Sequence, residues 1–276
     1  MLKTILVALD SSPYTETVTS LAIEWGNRFG ARLLGLGILD TASIAGREPI
    51  PLGASSFKKE RDVARIVDTH SRVQTILSKF QERCSAGGVI ADVFEDVGNP
   101  AVNILRQAHR CDIVMLGRET HFHLDAQQSD ATLSEVLRGC PRPVVVVPPE
   151  LPKGEGVIVA YGGGREVAHM LQTFYLLGLA GDETVHVLSV QREGWEAGAL
   201  ARLACDFLES HGATFQLHDV VSRAAPADVL LEHVQKLRPR LLVMGAHGHH
   251  SLRDLFATSV TRDVLRACPV PVLIGA

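Results

Sequence analysis

Two glycines and two hydroxyl residues near the end of the chain form a pattern suited to holding phosphate. Gly245 and Gly248 follow a buried-looking apolar run, and Thr258 and Ser259 stand where a later helix should begin. Glycines permit a tight turn and let a ligand approach backbone N–H groups. The first N–H groups of a helix have no partners within it, so a helix start facing such a turn favours phosphate oxygens. A plain strand–turn–helix connection capped by Thr258 or Ser259 explains the same residues equally well.

Short apolar runs alternate with helical stretches along the whole chain, and these elements must position the glycines. The runs are continuously apolar, which is typical of parallel strands covered on both faces. Strand–helix alternation predicts right-handed βαβ units and an α/β fold. In a doubly wound sheet, ligands bind beyond the carboxyl ends of the strands, at the point where the strand order reverses. The glycine loop is expected at that edge.

The pattern predicts five strands and four helices in each half of the chain. The predicted strands are 4–9, 31–39, 91–97, 112–116, 143–147, 156–161, 184–190, 214–221, 240–244 and 270–274. The predicted helices are 14–29, 62–86, 100–108, 132–138, 166–180, 194–211, 226–236 and 259–266. The first half also carries an insertion at about 41–61, whose Gly, Pro and Ser content suggests a mobile surface loop.

The two halves repeat each other. The phrase from Val136 to Val144 returns from Val264 to Val272 with seven of nine positions identical and a constant offset of 128. A repeat of this length indicates two copies of one domain rather than a solenoid. We therefore predict two doubly wound five-stranded domains, residues 1–149 and 150–276, joined by a linker rich in Pro and Gly.

Bulk composition excludes several classes of partner and compartment. The net charge is −4 and the pI is about 6.3, which argues against nucleic acid or an anionic membrane as the main partner. The first residues lack the pattern of a signal peptide, and no apolar run reaches the length of a membrane span. The five cysteines form no CxxC pair, so we expect free thiols in the cytoplasm.

Both halves resemble the universal stress protein domain. The phosphate-binding signature of that family is Gly, two residues, Gly, nine residues, then Gly and Ser or Thr; Gly245, Gly248 and Ser259 match it, whereas Thr258 replaces the third glycine. The closing Cys-Pro-x-Pro-Val and the stretch 98–101 also resemble the family. The resemblance implies a tandem protein of adenine-nucleotide alpha hydrolase-like fold. Family members commonly bind ATP, or lack the site and bind none.

On this resemblance, the second domain is the candidate for ATP or a related adenine nucleotide, with or without Mg²⁺. A run of glycines at 162–164 is a second candidate contact or simply a flexible turn, and Val190 is either an adenine-packing residue or a core valine. The candidate nucleotide-binding residues are Gly245, Ala246, His247, Gly248, Thr258, Ser259, Val260, Gly162, Gly163 and Val190.

The first domain offers weaker candidates, Asp10 and Gly117. Gly117 corresponds to Gly245, but Thr120 replaces Gly248, and the acids at 119, 125 and 130 lie in or beside the loop. Carboxylates near a surface repel phosphate by about 1 kcal/mol or more per pair. Asp10 ends the first strand, where the resemblance implies an adenosine contact; a cap for the following helix is the alternative.

No catalytic or metal site is predicted. The chain has no GxSxG nucleophile pattern and no evident clamp for phosphoryl transfer, and its loop histidines lack converging partners. We predict a binding or regulatory module rather than an enzyme. The alternatives are a nucleotide-free scaffold and, less favoured, a slow nucleotide hydrolase. The last strands, 143–147 and 270–274, are expected to pair the two halves because apolar edges tend to be covered, and homo-oligomers are expected as well.

Overall fold

The computed structural model describes residues 1–44, 55–122, 131–191, 196–246 and 259–275. These residues cluster into two compact units. The N-terminal unit contains residues 3–141, and the C-terminal unit contains residues 1–2 and 142–276. The domain boundary between residues 149 and 150 is predicted from the sequence repeat, whereas the two units are defined by contacts between residues. The boundary therefore stays a prediction.

The N-terminal unit contains a parallel sheet, and helices connect its successive strands. Its strands lie in the order β3-β2-β1-β4. The elements are β1 (Thr4–Leu9), α1 (Tyr14–Phe29), β2 (Arg32–Leu39), α2 (Thr41–Ile44), α3 (Ser55–Ala86), β3 (Ala91–Val97), α4 (Pro100–Ala108), β4 (Ile113–Gly117) and α5 (Thr132–Gly139).

The C-terminal unit contains six strands in the order β5-β10-β9-β6-β7-β8. All neighbours are parallel except β5, which runs antiparallel to β10 with Val145 opposite Leu273. The elements are β5 (Val144–Val147), β6 (Val157–Ala160), α6 (Arg165–Leu176), β7 (Val185–Gln191), α7 (Glu196–Ser210), β8 (Phe215–Val221), α8 (Pro226–Leu237), β9 (Leu241–Gly245), α9 (Ser259–Ala267) and β10 (Val272–Gly275).

Burial explains why these residues form these elements. The central strands β1, β4 and β9 are almost wholly buried, whereas the outer strands β3 and β8 are half-buried along most of their length. Helix α1 buries Val18, Leu21 and Trp25, which recur at helical spacing on one face. The α/β class, with mostly parallel strands, alternating helices and a tandem repeat, is therefore confirmed. The ten predicted strands are divided four and six between the two units, because β5 packs with the C-terminal unit.

The structure corrects two boundaries. The insertion at 41–61 is not wholly a loop, because α2 and the first turns of α3 fall within it; residues 45–54 lie outside the described part. The first helix of the C-terminal half, α6, ends at Leu176 rather than near residue 180, because the chain turns at Gly178 with a φ of 76°, which ordinary residues rarely adopt.

Candidate functional site

The carboxyl edge of the C-terminal sheet brings together the turns that follow β6 and β9. The chain proceeds from β6 to β7 on one side and returns at β9 on the other, so the strand order reverses between β6 and β9. Gly162 and Gly163 follow β6, and Gly245 and Ala246 end β9 or follow it. The two glycine segments thus lie at the position where doubly wound sheets bind ligands.

The turn after β9 is anchored on both sides. The backbone N–H of Ala246 donates to the carbonyl oxygen of Gly275 on β10 at 2.9 Å. The carbonyl oxygen of Ala246 accepts a hydrogen bond from Oγ1 of Thr261 in the first turn of α9, at 3.3 Å. Thr261 is buried and was not recognised in the sequence, because nothing local to it indicates a partner fifteen residues earlier.

Gly245 is required by packing against α6. A β-carbon at this position would lie 2.9 Å from the backbone nitrogen of Val167 and 3.2 Å from Cβ of Glu166. Gly117 shows the same relation in the other repeat, where a β-carbon would lie 2.5 Å from Cβ of Tyr14. The glycine that ends each of these two strands therefore has a structural role, and its contact with a ligand stays a prediction.

We expect Gly245→Ala to lower the free energy of unfolding of the nucleotide-free protein by about 1–3 kcal/mol, because α6 must shift to admit the methyl group. Equilibrium urea unfolding followed by circular dichroism measures this loss. Gly162→Ala is the matched control, since no atom lies within 4 Å of its β-carbon position. Equal losses in the two variants would show that the close approach to α6 is unimportant.

The glycine run after β6 leaves space at the start of α6. Gly162 adjoins open space, and Gly163 has a φ of 81° and packs against Leu200. Gly164 is the N-cap residue of α6 and supplies no side-chain cap. Arg165 is the first residue of the helix, and its side chain is 91% exposed. This helix start therefore presents an accessible backbone turn, which favours an anion, and a cation that is partly offset by the carboxylate of Glu166 at 3.9 Å.

The other predicted residues of this site lie on β7 and α9 or outside the described residues. Val190 is half-buried in β7 and pairs with Val220, and Val260 is half-buried on α9. Ser259 begins α9 as predicted. His247, Gly248 and Thr258 lie outside the described residues. The sequence also missed a polar pair beyond β7, in which Nε2 of Gln191 donates to Oδ1 of Asp219 at 2.5 Å.

A cavity of about 530 Å³ adjoins α6, lined by Arg165, Glu166, Ala168, His169 and Gln172. Its last three lining residues are exposed and follow the outer side of the helix. The helix face that carries Val167 and Met170 packs inward instead. Because the cavity extends along α6 away from the glycine turns, we do not assign the nucleotide to it.

In the N-terminal unit, the carboxylate of Asp10 is buried and accepts hydrogen bonds through both oxygens. Its Oδ1 accepts hydrogen bonds from the N–H of Ser12 at 3.1 Å, from Oγ of Ser12 at 2.7 Å and from Oγ1 of Thr15 at 2.7 Å. Its Oδ2 accepts one from the N–H of His121 at 2.6 Å. Both carboxylate oxygens are therefore engaged, Oδ1 by three donors and Oδ2 by one. Asp10 therefore fastens the end of β1 to the start of α1 and to the loop after β4.

The loop after β4 in the N-terminal unit differs in its side chains from the corresponding loop of the other repeat, and its predicted exclusion of phosphate stays a prediction. Thr120, which stands where the other repeat has Gly248, is 1% exposed, and Glu119 is exposed. The pKa of Tyr14 is raised by burial and next by the negative charge of Glu119, with Arg118 opposing both. The negative charge of Glu119 is therefore felt at Tyr14, beside this loop. The acids at positions 125 and 130 lie outside the described residues.

Neither a metal centre nor a membrane span is found among the residues that the structure describes. No three His, Cys, Asp or Glu side chains there converge on a position for a metal ion. No helix there is both long and apolar enough to cross a bilayer. Four of the loop histidines, at positions 123, 247, 249 and 250, fall outside that part of the chain.

Comparison with known proteins places this geometry in one family. The model of the universal stress protein family matches residues 1–148 and 183–274. A universal stress protein of Synechocystis is 24% identical over 296 aligned positions, which cover 99% of each chain. Residues 149–182, which the family model leaves unmatched, contain both Gly162 and Gly163.

Solved structures share the fold over nearly the whole chain. A universal stress protein from Archaeoglobus fulgidus superposes with a TM-score of 0.71 at 17% identity, covering 99% of this chain and 97% of its own. A putative universal stress protein from Pseudomonas aeruginosa gives a TM-score of 0.60 at 17% identity, with 99% and 93% covered. With two matched segments, a full-length relative and the repeated sheet, the chain belongs to the universal stress protein family as a tandem of two such domains.

Proposed function

We propose that this tandem universal stress protein is a stress-response binding module whose second domain holds ATP or a related adenine nucleotide. The observation that carries the proposal is the opening at the switch point of the C-terminal sheet. There the accessible turn at Gly162 and the start of α6, which has no side-chain cap, lie beside the anchored turn after Gly245. Backbone N–H groups in such a turn and helix start attract phosphate oxygens.

The phosphates would meet the backbone from Gly245 to Gly248 and the start of α9 at Thr258, Ser259 and Val260, and Val190 would line the adenine side. Mg²⁺ would accompany a triphosphate. Gly163 would lie beside the ligand without contacting it through a side chain. The first domain acts mainly as a structural partner in this proposal, because both carboxylate oxygens of Asp10 already bind groups of the protein and Glu119 repels anions.

Calorimetric titration of the purified chain with ATP and Mg²⁺ tests this proposal. We expect saturable binding, and at a hundredfold excess over Kd the ligand should stabilise the fold by about 2.7 kcal/mol. Gly248→Asp adds a negative charge to the phosphate loop and should weaken binding by about fivefold or more. Glu119→Gln, which alters the corresponding loop of the first domain, should leave the affinity unchanged.

Two results would contradict the proposed site. Equal affinity of Gly248→Asp and wild type would remove the phosphates from that loop. A change produced by Glu119→Gln alone would move the ligand to the first domain. Failure of the wild type to bind would favour the second candidate, a nucleotide-free scaffold. Two features of the sequence support that candidate: the glycine run at 162–164 has no carboxylate where the first half has Asp10, and Thr258 replaces the third glycine of the family signature.

We also propose a cytoplasmic location and self-association. None of the five cysteines, all of which lie in the described part of the chain, forms a disulfide, and four of them are buried, as suits a reducing compartment. The antiparallel pair β5·β10 already covers two apolar edges within one chain. Light scattering of the purified protein, with and without ATP, measures whether further copies assemble.

A further inference from the structure

Three histidines of the C-terminal unit form a cluster that nucleotide binding does not use. His186 lies on β7, His218 on the outer strand β8, and His233 on α8. Nδ1 of His186 and Nε2 of His218 are 3.0 Å apart, within hydrogen-bond distance. The ring centroids of His218 and His233 are 6.2 Å apart, with the rings nearly perpendicular. All three side chains are half-buried.

In His233, the hydrogen bond made by Nδ1 shows that this nitrogen carries a hydrogen. Nδ1 of His233 lies 2.8 Å from the carbonyl oxygen of Val229, and a carbonyl oxygen only accepts, so Nδ1 carries the hydrogen. In the pair of His186 and His218, one nitrogen must donate and the other accept. Such a bond exists when both rings are neutral and also when they share one added proton. When both rings are charged, two donors face each other and the bond is lost.

The surroundings oppose protonation of the pair. Burial lowers the pKa of His186. Burial also lowers the pKa of His218, and the positive charges of His186, His233 and Lys236 lower it further. The carboxylates of Glu183 and Asp219 are engaged elsewhere. Oε2 of Glu183 accepts hydrogen bonds from the backbone N–H of Gly156 at 3.0 Å and from Nε of Arg240 at 2.6 Å. Asp219 points to the other face of β8 and accepts from Gln191.

We propose that His186 and His218 form a proton-sensitive clasp that fastens the outer strand β8 to β7 near neutral pH and opens on acidification. Strand β8 has a neighbour on one side only within its unit, so the clasp supplements the ladder where the sheet is least supported. His233 and Lys236 on α8 add their charges to the same place. Opening would loosen β8 and α8 together and make this edge of the domain responsive to acid.

The pH window follows from the direction of the shifts. Both histidines have pKa values in the folded chain below the ordinary value of about 6.5, so the unfolded chain binds more protons in this range. Their contribution to stability is therefore complete above about pH 6.5 and is lost as the pH falls through the lowered values. A contribution to stability that was lost as the pH rises would contradict the lowered pKa values of the two histidines.

Hydrogen exchange followed by mass spectrometry tests the clasp. The full chain is compared at about pH 7.5 and about pH 5.5, with rates corrected for intrinsic exchange. His218→Gln places an amide nitrogen near the position of Nε2, and His186→Asn places one near the position of Nδ1; neither side chain titrates. The second variant serves if the first does not fold. His169→Gln, on the exposed side of α6, is the matched control.

In wild type, we expect the protection of residues 215–221 and 226–237 to fall on acidification. The fall should exceed that of His218→Gln or His186→Asn by about tenfold for each unit by which the pair's pKa is lowered. His169→Gln should behave as wild type. The proposal is wrong if wild type and the pair variants lose protection equally on acidification. It is also wrong if β9 and β10 lose as much protection as β8 and α8.

Discussion

Asp10→Ala is expected to destabilise the protein by about 3 kcal/mol or more, because it leaves several buried donors without their charged acceptor. Those donors are the N–H groups of Ser12 and His121 and the hydroxyl groups of Ser12 and Thr15. For a chain with domains of this size, a loss of about 3 kcal/mol corresponds to a fall in Tm of about 6–12 °C. Differential scanning calorimetry of the nucleotide-free protein measures it.

Two variants separate the carboxylate from its surroundings. Ser11→Ala removes only an exposed hydrogen bond from Oγ to the carbonyl oxygen of His121, 2.9 Å long, and should cost about 1 kcal/mol or less. Asp10→Asn keeps one acceptor oxygen but turns an NH₂ group toward a donor, so its loss should lie between the other two. If Asp10→Ala costs no more than Ser11→Ala, the four bonds do not support the fold.

Asp10 also illustrates what could be predicted from the sequence and what could not. The strand before it and the helix after it were predicted with the observed bounds, 4–9 and 14–29, because apolar runs and helical periodicity are local signals. The partner of its second oxygen, His121, is 111 residues away. Nothing in a local pattern indicates that approach, so the sequence left open whether Asp10 caps a helix or contacts a ligand.

The same distinction holds in the C-terminal half. The repeat identified Gly245 and Gly117 as equivalent, but their close approach to α6 and to Tyr14 appears only when helices pack on the sheet. The clasp of His186 and His218 depends on strand register, which places Leu188 opposite His218 and so brings the two rings together diagonally. α3 begins at Ser55, seven residues before the predicted start, because its first turns bury no apolar stripe that periodicity detects.

The largest single effect in the C-terminal unit should come from Arg240, whose side chain is 9% exposed. Its Nε donates to Oε2 of Glu183 at 2.6 Å, and its Nη2 donates to the carbonyl oxygen of Leu179 at 2.5 Å. Oε2 of Glu183 also accepts from the N–H of Gly156 at 3.0 Å. This arrangement joins the connection before β7 to the segments that enter β6 and β9. Arg240→Ala is expected to cost about 3–5 kcal/mol, because it leaves a partly buried carboxylate without its counter-charge.

A double-mutant cycle distinguishes that charge effect from lost packing. Arg240→Met keeps much of the volume, and combining it with Glu183→Gln should recover part of the loss, since no unpaired charge then remains. The exposed pair Arg72 and Asp68, one helical turn apart on α3 at 2.7 Å, is the matched control and should couple by about 0.3–0.5 kcal/mol. Salt at about 1 M should screen the exposed pair and leave most of the coupling between Arg240 and Glu183. Additive losses in urea unfolding of the Arg240 and Glu183 variants would mean that the ion pair does not hold these segments together.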